Sequence, residues 1–403
     1  MKKPELLAPA GDLNRCRTAI RYGADAVYIG GQNYSLRSRA SNFSMEDIRQ
    51  ACIFAKDHGA RIHVTVNMIP HNDDYEGLKE YLCALQDMGV TAVICASVSI
   101  MQLVKEAAPR LEVHCSTQMS VTNAYAAQFL YDRLHIDRVV LARECTMTEI
   151  EKLIMECPVE TEAFIHGGMC ANYSGRCTLS NRMTLRDANR GGCAQSCRWQ
   201  YHLCDADGPV NEAMFTMGSK DLLAAEWIPN MMKAGVSSLK IEGRMKSEYY
   251  VASIVSAYRH LIDELSASNA CISEERMRYH MQKIMCGENR EVCPGFYDGI
   301  PNENSIIYHP NSDADVNHDF LATVLSYENG VAVIQTRNPI DRGQKAEALC
   351  PNHGDRVFTI ESMQNESGEY LEAVRVPMTI LHIPVPFAVE PNDIIRRSRT
   401  ICE

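Results

Sequence analysis

The sequence predicts a (β/α)8 barrel, TIM-like in form, followed by a small all-β domain, and three observations carry that prediction. Across the first 265 residues, eight short apolar runs alternate with amphipathic stretches. Such alternation means parallel strands joined by crossover helices, and eight units close into a barrel more naturally than they extend an open sheet. No dinucleotide-binding glycine spacing follows the first run, where Ala8-Pro9-Ala10-Gly11-Asp12 stands instead. From Phe320 the texture changes to short β-runs separated by turn signals such as Glu328-Asn329-Gly330.

The eight expected barrel strands are Glu5–Pro9, Ala26–Gly31, Ile62–Asn67, Ala92–Ala96, Glu112–Ser116, Arg138–Ala142, Glu162–His166 and Ser238–Glu242. Helical periodicity lies between them at Met45–His58, Tyr75–Met88, Ser97–Ala107 and Thr122–Leu134. Glycine or proline closes these stretches at His58-Gly59, Met88-Gly89, Ala108-Pro109 and Ala234-Gly235. One connection is abnormal: some 50 residues separate the seventh strand from a helix expected to begin near Ser219. A connection that long inside a compact domain is usually functional, and this one leaves the strand end where barrel active sites lie.

Helices at Glu248–Leu265 and Glu274–Met285 follow. The expected organisation is a barrel over residues 1–290 with a cysteine-rich loop at about 167–218, a Pro/Asn/Asp-rich linker over 291–318, and a small antiparallel β-barrel over 319–403. Its strands are expected at Phe320–Tyr327, Val331–Thr336, Lys345–Leu349, Val357–Met363, Leu371–Val374 and Met378–Ile383.

A net charge of −11 argues against a protein that coats nucleic acid non-specifically, so binding to a defined RNA would need a local basic patch. Hydrophobic residues make up 46% of the chain, enough for a substantial core. The N-terminal segment has two lysines but no apolar run long enough for a signal peptide, and no window approaches a membrane span. A cytoplasmic location without membrane attachment is expected. In that reducing setting 17 cysteines read as thiols or metal ligands rather than a disulfide framework.

Four cysteines stand apart, in the spacing Cys170-x6-Cys177-x15-Cys193-x3-Cys197, all inside the long connection. Four thiolates from one loop form a set that either zinc or an iron–sulfur cluster accepts. The first gap of six suits zinc poorly, because structural zinc pairs its ligands through shorter knuckles. A bulkier cluster needs wider ligand separation and glycines that let the backbone wrap it; Gly167, Gly168, Gly175, Gly191 and Gly192 supply them. Cys204 is near enough to replace Cys197 as fourth ligand.

The same loop carries Arg176, Arg182, Arg186, Arg190 and Arg198 against a single acid, Asp187, a local balance of +4 over residues 168–200. Beside Tyr173 and Trp199, these arginines suit a single-stranded or looped RNA, by phosphate pairing and base stacking. Barrel geometry aims further polar side chains at the same mouth: Asn67, Ser97, Gln118, Arg143, Glu144, His166, Lys240, Glu242 and Arg244. Arg143 and Arg244 are candidates to clamp a carboxylate, and His166 and Glu242 to move protons. Lys240 pairing with Glu242 in the core, and His166 as a satisfied structural histidine, are the plain structural alternatives. Neither G-x-S-x-G nor H-E-x-x-H occurs.

The run from Glu162 through His166-Gly167-Gly168-Met169-Cys170 to Gly175-Arg176-Cys177-Thr178-Leu179-Ser180 resembles the signature of the collagenase-like peptidase family of unassigned mechanism. Pro4–Asp12, Gly23–Gly31, Ser116-Thr117-Gln118, Leu141–Glu144, Ser219-Lys220-Asp221 and Ser238–Lys246 look like the same family, and the tail is similar to the small β-barrel that ends its longer members. The branch with that barrel resembles prephenate-dependent tRNA uridine 5-hydroxylation proteins. The resemblance implies a 4Fe-4S cluster on Cys170, Cys177, Cys193 and Cys197, oxygen-independent formation of 5-hydroxyuridine at the tRNA wobble position, and prephenate as hydroxyl donor. A dicarboxylate of that kind would suit Arg143 and Arg244. Relatives that hydroxylate a ribosomal RNA cytidine keep that substrate open, and the family name keeps a metal-dependent peptidase open. A related partner subunit is a further expectation, since homologues pair.

Overall fold

A computed structural model describes residues 2–36, 42–305 and 318–399. Eight parallel strands form the barrel: β1 (Glu5–Pro9), β2 (Ala26–Gly30), β3 (Arg61–Val66), β4 (Ala92–Cys95), β5 (Glu112–Cys115), β6 (Arg138–Val140), β7 (Glu160–Gly167) and, after an excursion, β11 (Ser238–Ile241). Each of the first seven pairs with the next, β11 pairs with β1, and β11 closes the ring on β7 in the register Ser238↔Glu162, Leu239↔Ala163, Lys240↔Phe164. Helices α1 (Leu13–Arg21), α2 (Met45–Asp57), α3 (Leu78–Asp87), α4 (Val98–Ala107), α5 (Ala124–Leu134) and α6 (Met147–Glu156) make the crossovers. Local chemistry starts them: Asp12 caps α1 by accepting from the Arg15 N–H, and Ser44/Asp47 and Thr146/Glu149 form capping boxes.

Alternation along each strand sorts the side chains. On β3, Ile62, Val64 and Val66 join the layer beneath the helices, while His63 and Thr65 take the other face of the strand. The barrel interior is strongly polar at its N-terminal end. Arg138 Nη1 lies 2.6 Å from Glu5 Oε1 and 3.2 Å from Glu162 Oε2, and Lys240 Nζ lies 2.7 Å from Glu162 Oε1. Burial alone would raise the Glu162 carboxyl, yet Lys240 and Arg138 hold it below its ordinary value. Lys240 therefore pairs with Glu162, not with Glu242. His63 and His114 sit edge-to-face at 4.8 Å in the same layer, kept neutral by burial and the nearby cations.

The excursion after β7 holds α7 (Leu179–Thr184), the hairpin β8 (Tyr201–Asp205) with β9 (Gly208–Phe215), and β10 (Asp221–Leu223). The helix expected near Ser219 begins instead at Ile228, as α8 (Ile228–Ala234). The intervening Asp221–Leu223 pairs antiparallel with the end of β7, Leu222 opposite Gly167 and Leu223 opposite His166. Apolar Leu222 and Leu223 are buried there, so a short strand displaces the expected first helical turn.

Helices α9 (Glu248–Ala267) and α10 (Glu274–Met285) follow, and β12 (Val292–Cys293) pairs with β10. The first part of the expected linker thus packs on the barrel: Tyr297 is buried and donates to the Phe164 carbonyl at 2.5 Å. Residues 306–317, the rest of it, lie outside the described residues.

The C-terminal domain comprises β13 (Phe320–Glu328), β14 (Val331–Thr336), β15 (Ile340–Asp341), β16 (Lys345–Leu349), β17 (Arg356–Thr359), β18 (Ala373–Val374), β19 (Ile380–Pro384) and β20 (Ile394–Arg397). Six of these run in the antiparallel order β17-β16-β20-β13-β14-β19, a half-barrel over a core that includes Val324, Ile334, Leu381 and Ile395. It is tied to the barrel by Tyr22, whose hydroxyl donates to the Leu349 carbonyl at 3.0 Å, and by Tyr249 stacked on Phe320 at 5.1 Å. Among the described residues no helix is long and apolar enough to cross a membrane.

Candidate functional site

The cysteine loop starts at Gly167, whose φ of +97° and close approach to the Glu242 carbonyl leave no room for a Cβ. It then folds back across the C-terminal mouth of the barrel, pinned by polar side chains at several points. Glu144, at the end of β6, accepts from the Ser174 N–H at 2.6 Å and from its hydroxyl. Arg176 Nε donates to the Gln118 carbonyl at 2.5 Å. Arg190 grips Asp74 with both terminal nitrogens, at 2.5 and 3.0 Å, and donates to the Ile69 carbonyl at 2.7 Å. That pairing holds the Asp74 carboxyl below its usual range.

These anchors draw Cys170, Cys177, Cys193 and Cys197 into one electrostatic neighbourhood. Burial raises the Cys170 thiol, and Cys177 and Cys193 push it further while an Asn172 amide and Arg143 pull it back. Cys197 is raised by burial and by Cys170, Cys193 and Cys177 together, against the pull of Arg198. Cys204 is not in that group: it lies exposed on β8, its thiol 3.9 Å from the His202 carbonyl.

Four thiols on one loop are a donor set that an iron–sulfur cluster or a zinc ion takes. Among the described residues, no three His, Cys, Asp or Glu side chains are gathered tightly enough to hold one metal ion. A zinc ion draws four sulfurs to about 2.3 Å from a common centre, whereas a cluster holds its ligands at the corners of a larger frame. The Asn172 Nδ2 and Leu179 N–H groups reach Cys177 Sγ at 3.1 and 3.3 Å. Such N–H donors are what an anionic, metal-bound thiolate accepts.

The other expected site residues divide. Arg143 lies over the Phe164 ring at 4.0 Å and pairs with Glu242 at 3.3 Å, so these two face the mouth as a unit. Arg244 is buried, with Nη1 3.0 Å from the Ser35 hydroxyl and Nη2 on Asn42. His166 is wholly buried, with Nδ1 3.1 Å from the Tyr258 hydroxyl and Nε2 2.6 Å from Glu288, so both ring nitrogens have partners. Arg190 has both terminal nitrogens on Asp74. Arg176 spends its Nε on loop anchoring. Arg198 lies half-buried beside Asp221 at 3.6 Å. Arg182 and Arg186 stay exposed, beside exposed Tyr173, Trp199 and Leu185.

The anchors Asp74, Asn172, Ser174 and Asn189 carry no sequence signal of their own. Asp221 had one, in Ser219-Lys220-Asp221, and Arg290, which meets it at 2.9 Å, had none.

A family model described as "Peptidase family U32" matches residues 11–307, and one for the "Peptidase family U32 C-terminal domain" matches residues 316–396. The chain is similar to tRNA hydroxylation protein P1 of Bacillus subtilis, 42% identical over 409 residues that cover 99% of this chain and 96% of that one. It is 40% identical over 264 residues to the 23S rRNA 5-hydroxycytidine C2501 synthase of Escherichia coli, covering 65% of this chain and 39% of the other. It is also 34% identical over 411 residues to a protein named Collagenase from Porphyromonas gingivalis, covering 98% and 97%.

Proposed function

The chain belongs to peptidase family U32, and from that premise we propose that it is an iron–sulfur-dependent, oxygen-independent RNA hydroxylase. Its substrate in this reading is the wobble uridine of tRNA, converted to 5-hydroxyuridine with prephenate as hydroxyl donor. Two relatives are named for RNA hydroxylation, one on tRNA over 99% of this chain and one on ribosomal RNA over 65% of it. The observation that carries the reading is the convergence of Cys170, Cys177, Cys193 and Cys197 at the mouth of the barrel.

Replacing C5–H of uridine by C5–OH is a two-electron oxidation, and it balances if the donor's C–O bond breaks and the donor carbon keeps the electron pair and takes up the proton, R–OH + U–H giving R–H + U–OH. A 4Fe-4S cluster, when bound by the four cysteines, supplies electron transfer beside the substrate. The remaining tasks fall to this chain's own residues. Exposed Arg182 and Arg186 pair with phosphates, and Tyr173 and Trp199 offer faces on which unstacked bases can lie. Arg143, backed by Glu242 and Phe164, presents a cation to the carboxylate of the donor.

A peptidase, as the name of the Porphyromonas relative has it, needs an activated nucleophile or an open metal site with a general base. The histidine nearest the cysteines in sequence, His166, is locked between Tyr258 and Glu288.

Mass spectrometry of nucleosides from tRNA, with and without the gene, tests the proposal. Loss of 5-hydroxyuridine and its derivatives on deletion, restored by the wild type and not by Cys193→Ala, is the expected result. A nucleoside profile indifferent to the gene would remove tRNA as substrate.

A further inference from the structure

Asp221 is the meeting point of three cations from three separate segments. Arg290 Nη1, beyond α10, lies 2.9 Å from its Oδ1; Arg198 Nη2, in the cysteine loop, lies 3.6 Å from the same atom; and Lys246 Nζ, beyond β11, lies 3.7 Å from Oδ2. Of the three, Arg290 is within hydrogen-bond distance, and the buried Oδ2 receives no hydrogen bond from the described residues. The nearby carboxylates balance the group only in part, since Glu288 also faces Lys246. Glu291 is paired with Lys220 at 2.8 Å, and Glu288 is hydrogen-bonded to His166 at 2.6 Å.

Three positive charges therefore face two negative ones, Asp221 and Glu288, in a half-buried setting. Like charges held together there repel with less screening than on an open surface, and an entering anion relieves them. The cations are reachable: their side chains are 29%, 30% and 18% exposed for Arg198, Lys246 and Arg290, while Asp221 is at 1%. Their place is also telling. Asp221 begins β10, which pairs with the end of β7, and a Cβ on Gly168 would lie 3.5 Å from Arg198 Nη2. The group thus lies beside the backbone that leads to Cys170. Lys246 is further braced over the Tyr250 ring at 4.8 Å.

We propose that Arg198, Lys246 and Arg290, gathered on Asp221, form an oxyanion site at the barrel mouth next to the cysteine loop. Its occupant is a phosphate of the bound RNA or a carboxylate of the small co-substrate. The site stands on its own geometry; only the identity of the occupant rests on the RNA-hydroxylase reading. A bare staple joining three chain segments is the competing account. It predicts that the cations matter to stability and not to anion binding.

The test uses the full chain, purified without oxygen, in wild-type form and as Lys246→Gln and Arg290→Gln, with iron content measured for each. Inorganic phosphate should raise the melting temperature of the wild type and of an Arg133→Gln control, a site exposed on α5 away from the group. It should have little effect on the two site variants, while their iron content is unchanged. Binding of tRNA that weakens about tenfold in both, with a salt slope reduced by about one, assigns the occupant as backbone phosphate. Weaker binding of prephenate with tRNA binding intact assigns a carboxylate. If phosphate, tRNA and prephenate all bind both variants as they bind the wild type, or if the wild type responds to none of them, the oxyanion site is refuted. Should either variant fail to fold, Asp221→Asn takes its place. Removing the competing carboxylate must tighten phosphate binding, and unchanged or weaker binding overturns the site. Nucleoside analysis of cellular tRNA decides the hydroxylase reading separately from all of these outcomes.

Discussion

The side-chain amide of Asn189 clasps the backbone of Cys177, donating from Nδ2 to its carbonyl at 2.9 Å and accepting from its N–H at 3.2 Å. The Asn189 carbonyl in turn accepts from the Ile69 N–H at 3.1 Å, beyond the end of β3. Through one residue, the second cysteine of the loop is referenced to the barrel wall.

Asn189→Ala deletes both clasping bonds, each worth about 1 kcal/mol net. Because the clasp is local, global melting should shift by only a few degrees. Iron loss to a chelator should be several-fold faster than from the wild type, read as the decay of visible absorbance. Equal decay rates would show that Asn189 does not set the position of Cys177.

Cys193→Ala should yield a colourless, iron-poor protein, and Cys204→Ala a protein with full iron content. Both thiols are exposed, so the contrast follows from neighbours: Cys193 acts on Cys170 and Cys197, while Cys204 sits on the hairpin with its thiol toward the His202 carbonyl. Iron per chain after anaerobic reconstitution decides it. Full iron in Cys193→Ala, or loss in Cys204→Ala, would redraw the ligand set.

All eight barrel strands were legible in the sequence because apolar runs and glycine stops recur with the strand–helix period. β20 was not: Ile394–Arg397 is only four residues, and two of them are arginines. One of these, Arg396, is buried in mid-sheet because Glu347 accepts from its Nε at 2.8 Å, a partner 49 residues away. The cysteine spacing was equally visible, since its chemistry is contained in one loop. What holds that loop was hidden for the same reason as β20. The bond from Arg190 to Asp74 spans 116 positions, and an isolated arginine looks the same whether it awaits a phosphate or grips an aspartate. His166 was legible as a strand-end residue, but its ring contact with Tyr258 on α9, 92 positions away, was not.

Stability should fall as pH drops below about 6.5, because of His63 and His114. Burial pushes both rings' proton affinity well below that of free imidazole, so the folded state keeps them neutral. The unfolded chain takes up protons from about pH 6.5 downward, and the folded chain does not. Unfolding free energy is therefore fully retained above that pH and declines below it, by up to about 1.4 kcal/mol per pH unit for each histidine. Urea titrations between pH 7.5 and 5 should show this slope, roughly halved in His63→Phe. A slope unaltered by that substitution would assign the acid sensitivity to other groups.

The arginines of the cysteine loop should separate into two classes when tRNA binding is measured against salt. Arg182 and Arg186 are exposed, so replacing both with glutamine should leave folding and iron content unchanged. Affinity for tRNA should fall, and the slope of log affinity against log salt should lessen by about 0.7–0.9 for each phosphate contact removed. Arg190→Gln should act differently. It strips the partner from Asp74 and the donor from the Ile69 carbonyl, so the loop loosens. Iron content should drop with tRNA affinity, while the salt slope per bound molecule of intact protein stays near that of the wild type. If Arg190→Gln keeps its iron and only flattens the salt slope, the guanidinium leaves Asp74 to meet RNA, and its assignment as an anchor is wrong.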